Sequence, residues 1–221
     1  MLIVQTKMEW SKLMKNFIFD VDGTLIDTID MYIPALRATL ADYGYQRDYA
    51  GLTDYFGMNG WEALPLIGVS EQDRQPIYDQ WAKLSAQNTA KIKLYPEIEQ
   101  VLAKLAATPG IKLVIATSKS KEELSSHLGG KFAILKYFDA AVTCEETTRH
   151  KPYPDPIEKG MTKIAAKPAE TIYIGDSEFD VQAAQAAKAK SGAALWGATQ
   201  PERLKAAEYQ LKQPSDLLKL I

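Results

Sequence analysis

Short apolar runs followed by polar loops and amphipathic stretches dominate the pattern of this chain. Residues 17–19 are apolar and lead directly into the polar segment 20–24 (DVDGT), which predicts a buried strand that ends in a polar loop. In residues 29–43 the apolar side chains recur at helical intervals and Gly44 follows, which predicts an amphipathic helix. The first strand is therefore followed by a helix.

The rest of the chain divides into two kinds of pattern. Residues 49–90 mix aromatic, aliphatic and polar side chains with glycine and proline, and they indicate several short helices and no strand. From residue 97 onward, predicted helices (97–107, 121–128, 156–166, 178–187) alternate with predicted strands (112–116, 140–143, 171–174), and a last apolar segment (193–196) precedes closing helices. Such alternation indicates an α/β fold with a parallel sheet covered by helices on both faces.

This alternation suggests how the chain is organised into domains. We predict a core made of residues 15–27 and 92–221, because the strand patterns fall there. The helical block of residues 28–91 is then an inserted cap. Residues 1–14, with Met8 and Met14 as alternative starts, are interpreted as a leader segment.

Composition and charge narrow the range of partners. The chain has 221 residues, 46% of them hydrophobic, and a formal net charge of −2, so it can bury a core but has no basic field for nucleic acid or an anionic membrane. No apolar run is long enough to cross a bilayer, and we expect a cytoplasmic protein. The single cysteine, Cys144, cannot form an internal disulfide. Two histidines are too few to make a histidine-based zinc site or a serine triad a good expectation.

Polar side chains follow three of the predicted strands at the point where each ends. In an open parallel sheet, ligands bind at the carboxyl ends of the strands. The strand-end residues are Asp20 and Asp22, Thr117 and Ser118, and Asp176 with Asp180 farther on, while Lys151 lies in a proline-rich loop between the last two strands. Together they supply what phosphoryl transfer requires, namely a nucleophile, a site for a hard cation, a phosphate cradle and a proton donor.

This set of residues resembles the four motifs of the haloacid dehalogenase superfamily, in order and spacing, along almost the whole chain. The resemblance implies a Rossmann-like core, with Asp20 as the nucleophile and Asp22 as the acid/base residue. It also implies Mg²⁺ bound by Asp20, the backbone carbonyl of Asp22 and Asp176, with Asp180 in a supporting position. The helical cap is similar to that of the phosphoglycolate phosphatase and beta-phosphoglucomutase branch.

The phosphate ligands follow from the same motifs. Thr117, Ser118 and Lys151 are expected to hold phosphate oxygens, and the N–H of Gly23 is a further candidate. Ser118 and Lys119 could equally begin the helix that follows the strand.

The resemblance also separates the candidate activities. An acid two residues after the nucleophile, here Asp22, is typical of phosphatases and mutases. The mutases carry a histidine where this chain has Tyr32, so we expect a phosphatase for a small phosphorylated metabolite, with a phosphosugar mutase and a non-catalytic regulator as alternatives. We expect a monomer or homodimer. The sequence does not choose among the cationic residues of the cap that could contact the substrate: Arg37, Arg47, Arg74 and Lys83.

Overall fold

A six-stranded parallel sheet organises residues 14–221, the part of the chain that our computed structural model describes. The strands of the structure are β1 (Asn16–Phe19), β2 (Ile26–Asp27), β3 (Lys93–Leu94), β4 (Lys112–Ala116), β5 (Ala140–Val142), β6 (Thr171–Gly175), β7 (Lys190–Ala194) and β8 (Tyr209–Leu211). The large sheet has the order β5-β4-β1-β6-β7-β8, and every neighbouring pair in it is parallel. This arrangement places β1 at the centre of the sheet.

Helices cover both faces of the sheet. The helices are α1 (Ile29–Asp42), α2 (Tyr49–Thr53), α3 (Gly60–Leu66), α4 (Glu71–Ala86), α5 (Ile98–Ala107), α6 (Lys121–Leu124), α7 (Asp155–Lys163) and α8 (Glu178–Ala186). Successive side chains of a strand point to opposite faces, so Phe17 and Phe19 pack in the core that contains α5, while Ile18 packs in the core that contains α7 and α8. The predicted α/β/α layers are confirmed.

Helices α1–α4 lie between β2 and β3 and form the inserted cap. They surround a hydrophobic cluster of their own, which includes Leu36, Leu40, Leu64 and Ile77. Strands β2 and β3 pair antiparallel, so the chain leaves the core and returns to it side by side. The predicted helical cap on a parallel-sheet core is confirmed. Between residues 14 and 221, no helix combines the length and the apolar character needed to cross a lipid bilayer.

The sequence patterns misplaced several elements. The predicted segment 193–196 overlaps only the last two residues of β7, which begins at Lys190 and ends at Ala194. The predicted closing helices include strand β8 and two 3-10 helices (Pro201–Leu204 and Pro214–Leu220). Strand β8 lacks the continuous apolar run that marks the equally short β5 in the sequence. The predicted helix 121–128 is α-helical only to Leu124 and continues as a π-helix over Ser125–Gly130.

The N-terminal prediction concerns residues 1–14, of which residues 1–13 lie outside the described part of the chain. Met14 does not fit a leader, because its side chain is buried in the core and its N–H donates to the Leu220 carbonyl at 2.8 Å.

Candidate active site

The central strand and its two neighbours bring three polar segments to one edge of the sheet. β1 pairs in parallel with both β4 and β6, so Asp20, Thr117 and Asp176, which follow these strands directly, lie at the same edge. The N–H of Asp20 continues the ladder by donating to the carbonyl of Ile174 at 2.9 Å. The predicted convergence of the strand ends is therefore present.

Three buried carboxylates form an acidic cluster at this edge, namely Asp20, Asp176 and Asp180. Each offers an oxygen atom that lies within 4.8 Å of the others. Burial raises the pKa of Asp20 to about 7, against the opposing charge of Lys151. Burial, with the charges of Asp180 and Asp20, also raises the pKa of Asp176 well above its ordinary value. The cluster is therefore short of positive charge.

Lys151 supplies part of that charge. Its Nζ lies 2.7 Å from Asp20 Oδ2 and 2.7 Å from Asp180 Oδ1, and its side chain is 1% exposed. Burial favours the neutral amine, but the charges of Asp180 and Asp20 raise the pKa of Lys151 above its ordinary value. Lys151 is thus a buried ammonium group that contacts the predicted nucleophile directly.

Asp180 is fixed by hydrogen bonds at both carboxylate oxygens. Its Oδ2 accepts the N–H of Ser177 at 3.0 Å and the Ser177 hydroxyl at 2.5 Å, which forms a capping box at the start of α8. Its Oδ1 accepts Lys151 at 2.7 Å and the Tyr173 hydroxyl at 3.2 Å. With both oxygens occupied, Asp180 is suited to position Lys151, and its supporting role stays a prediction.

Asp176 has more capacity to bind a cation. Its side-chain partner among residues 14–221 is the Thr24 hydroxyl, which donates to Oδ1 at 3.2 Å. Asp20, Asp22, Asp176 and Asp180 face two ammonium groups, Lys151 and Lys119, so the carboxyl groups outnumber the ammonium groups by two. Carboxylate oxygens in this number suit a hard divalent cation such as Mg²⁺. Asp20 and Asp176 are the side chains that could hold it.

Asp22 lies on the side of the site that faces the cap. Its Oδ1 accepts the Thr28 hydroxyl at 2.5 Å and lies 2.9 Å from the Nζ of Lys119. Lys119 also donates to the hydroxyl of Tyr32 at 2.7 Å. Asp22 is therefore held in one orientation by neighbours from the β2–α1 connection and from the loop after β4.

The phosphate ligands predicted from the sequence have different surroundings. The hydroxyl of Thr117 accepts the N–H of Lys119 at 3.2 Å, and its own proton has no acceptor recorded within residues 14–221, so it can donate to a phosphate oxygen. The hydroxyl of Ser118 lies 3.4 Å from the carbonyl of Gly57 in the cap, and Ser118 lines the cavity beneath the cap.

Gly23 requires a correction. Its N–H donates to the carbonyl of Ile26 at 2.9 Å, so the predicted phosphate contact through this N–H has no support in the geometry. Gly23 has a φ of 74°, which favours glycine, and a Cβ at this position would collide with the carboxylate of Asp176. The glycine allows the loop to pass close to the acidic cluster.

Three further residues contact the site but were not selected from the sequence, namely Lys119, Thr24 and Thr28. Lys119 is 3% exposed, although a lysine after a strand is usually a surface residue. The feature of the sequence that could have indicated Lys119 as a site residue is its position directly after the predicted ligands Thr117 and Ser118. Thr24 belongs to the polar segment 20–24, but the contacts of both threonines depend on how the loop after β1 folds back.

The lone cysteine is not a competing nucleophile. Cys144 is half-buried, and burial raises the pKa of its thiol to about 11. A thiol with this pKa is almost entirely protonated near neutral pH.

Comparisons with known proteins agree with this geometry. The model of the haloacid dehalogenase-like hydrolase family matches residues 17–194. The chain is 31% identical to a phosphoglycolate phosphatase of Aquifex aeolicus over 94% of this chain and 97% of the relative. It is 30% identical to the pyrophosphatase PpaX of Anoxybacillus flavithermus over 93% of this chain and 96% of the relative.

A solved structure shows that a hydrolase shares the fold of this chain. A hydrolase from Pseudomonas syringae superposes with a TM-score of 0.83 at 26% identity, covering 93% of this chain and 96% of that one. The family match, the shared fold and the convergence of all four motif segments lead to one conclusion: this chain belongs to the haloacid dehalogenase-like hydrolases.

Proposed function

We propose that this chain is a Mg²⁺-dependent phosphatase that hydrolyses a small phosphorylated metabolite through an aspartyl-phosphate on Asp20. The observation that carries the proposal is the buried contact of Asp20 with Lys151, beside a second carboxylate, Asp176, that could hold a cation. This arrangement pairs a nucleophile with an ammonium group that neutralises an incoming phosphoryl oxygen.

In the first step, a carboxylate oxygen of Asp20 attacks phosphorus and the bond from phosphorus to the leaving oxygen breaks. The carboxyl group of Asp22 gives its proton to that oxygen, so the alcohol leaves uncharged. Thr28 and Lys119 hold Asp22 towards the cavity in which the leaving group lies. Lys151 and the hydroxyl of Thr117 stabilise the charge on the transferred group.

In the second step, the Asp22 carboxylate takes a proton from a water molecule while the water oxygen attacks phosphorus. The bond from phosphorus to Asp20 breaks, inorganic phosphate leaves, and both aspartates return to their starting states. When bound, Mg²⁺ partly neutralises the phosphate and the Asp20 carboxylate, which otherwise repel one another.

The names of the relatives support a phosphatase. One relative is a phosphoglycolate phosphatase and another a pyrophosphatase, and both act on phosphorylated small molecules. The mutase alternative has less support at position 32. Tyr32 donates to Glu123 at 3.0 Å, and burial raises its pKa well above the usual value, so its phenol stays protonated.

Hydrolysis of para-nitrophenyl phosphate, with Mg²⁺ or with EDTA, tests the proposal. We expect activity only with Mg²⁺, and a loss of about a thousandfold or more in Asp20→Asn. Asp30→Asn is the matched control, because Asp30 is exposed in the first turn of α1. Undiminished hydrolysis by Asp20→Asn would refute the role of Asp20, and hydrolysis that is insensitive to EDTA would refute the role of the cation.

A further inference from the structure

A cavity beneath the cap continues from Asp20 and Asp22 and opens to solvent. The leaving group of a phosphate ester bound at Asp20 would extend into this cavity. Its walls are mostly apolar or aromatic and come from the cap; they include Leu36, Leu52, Phe56, Tyr78 and Trp81. Trp81 makes edge-to-face contacts with Tyr78 and with Tyr32, with ring centroids 6.2 Å apart in both pairs. The wall thus presents a fixed aromatic surface to the leaving group.

The charges that face the cavity are mostly negative. Within residues 14–221 its charged lining consists of Asp20, Asp22, Lys119 and Glu123. The ammonium group of Lys119 is 2.9 Å from Asp22 and donates to Tyr32, so it is already paired. Burial raises the pKa of Glu123, but Lys119 and hydrogen bonds from Ser120 and Tyr32 outweigh this and lower it, so Glu123 is ionised at neutral pH.

The cationic residues of the cap do not reach this cavity. None of the four candidates from the sequence, Arg37, Arg47, Arg74 and Lys83, belongs to its lining within the described part of the chain. The guanidinium of Arg47 instead donates to the Ile67 carbonyl at 2.6 and 2.9 Å. An anionic leaving group would therefore be desolvated against aromatic rings and Glu123 with no free cation to pair with, which is unfavourable.

Ser85 provides one polar contact in the apolar wall. It lies on α4, one turn after Trp81, lines the cavity and is 2% exposed. Its Oγ has no hydrogen-bond partner among residues 14–221. A buried hydroxyl without a partner is destabilising, so a polar group of the ligand would complete its hydrogen bonding.

We propose that the cavity selects phosphate monoesters whose leaving alcohol is uncharged and largely apolar, preferably aromatic, with a hydrogen-bonding group that reaches Ser85. Leaving groups that carry a second anion, such as a carboxylate or a phosphate, are rejected by Glu123 and the apolar wall. This inference rests on the proposed phosphatase activity and defines its substrate class. It separates this chain from relatives named for phosphoglycolate or pyrophosphate.

Two matched substrates test the charge preference. Benzyl phosphate and 4-carboxybenzyl phosphate share the same scissile bond and differ by one remote carboxylate. We expect kcat/KM to be at least about tenfold higher for benzyl phosphate, and higher for it than for phosphoglycolate or pyrophosphate. An equal or reversed preference would overturn the inference and leave the phosphatase proposal intact, whereas no hydrolysis of any substrate with Mg²⁺ would overturn both.

Glu123→Gln tests the source of the discrimination. Glutamine can keep the capping box with Ser120 while it removes the charge. The ratio of kcat/KM for 4-carboxybenzyl over benzyl phosphate should rise several-fold in Glu123→Gln. It should stay constant in Glu122→Gln, whose side chain is exposed on the same helix. The same ratio in Glu123→Gln and the wild type would contradict the role of Glu123.

Ser85→Ala tests the polar contact. We compare 4-(hydroxymethyl)benzyl phosphate with 4-methylbenzyl phosphate, which lacks the hydroxyl group. The wild type should favour the hydroxyl compound through a lower KM, and Ser85→Ala should reduce this preference about fivefold or more. A preference that is absent in the wild type, or unchanged by Ser85→Ala, would exclude Ser85 as a ligand-binding residue.

Discussion

Lys151→Met removes the ammonium group between Asp20 and Asp180 and keeps a side chain of similar length. The Nζ lies 2.7 Å from an oxygen of each aspartate, and the three side chains are at most 2% exposed. Removing one partner of a buried ion pair leaves an uncompensated charge and costs about 3–5 kcal/mol. For a chain of this size we therefore expect Tm to fall by roughly 6–20 °C.

Thermal and urea unfolding near pH 8 in EDTA measure this loss of stability, because no cation then compensates for the missing charge. Hydrolysis of para-nitrophenyl phosphate with Mg²⁺ measures the catalytic loss, which we expect to be about 10²–10³ in kcat. Lys159→Met is the matched control: Lys159 is exposed on α7, and its replacement should change the free energy of unfolding by less than about 0.5 kcal/mol.

Asp180→Asn completes a double-mutant cycle with Lys151→Met. Both groups belong to one buried pair. The double variant should therefore lose less free energy of unfolding than the two single variants lose in sum, by at least about 1.5 kcal/mol. Additive effects, or a Tm of Lys151→Met within about 2 °C of the wild type, would refute the argument that the two charges depend on each other.

Three further predictions follow from single residues. Gly23→Ala should raise the Mg²⁺ concentration needed for half-maximal hydrolysis about tenfold, because the added Cβ would collide with the acidic cluster. Gly44→Ala is the control and should leave this concentration unchanged, because Gly44 has a similar positive φ but open space around it. Burial lowers the pKa of His127 to about 4, below its unfolded value, so stability should be lost as pH falls from about 6.5 towards 4, by up to about 3 kcal/mol. Urea unfolding at both pH values checks this, and His127→Gln should lack that contribution. Thr28→Val removes the hydroxyl that donates to Asp22 at 2.5 Å, and steady-state kinetics should show kcat reduced about tenfold with KM little changed.

The central part of the fold could be predicted because its signals are local. The apolar run before Asp20 and the strands before Thr117 and Asp176 each end abruptly in polar residues, and parallel pairing then places these residues at one edge. Strand β8 is not predicted because its central residue is the polar Gln210, and the strand is stabilised by pairing with β7 rather than marked by an apolar run.

The misjudged parts of the site depend on contacts between distant residues. Gly23 was expected to offer its N–H to phosphate, but the chain folds back so that Ile26 accepts it. The sequence allows Lys119 to begin the helix after the strand, and its burial against Asp22 and Tyr32 arises only when the cap lies over the loop after β4. The spacing of residues along the sequence does not predict contacts of this kind.

The central claim is that Asp20 carries the phosphoryl group during turnover. Acid quenching of the enzyme during hydrolysis with Mg²⁺, followed by peptide mass spectrometry, tests this claim most directly. We predict one hydroxylamine-sensitive phosphoryl group on the peptide that contains Asp20, and none in Asp20→Asn. A phosphoryl group on another residue, or turnover with no phosphorylated peptide in repeated rapid-quench samples, would contradict it.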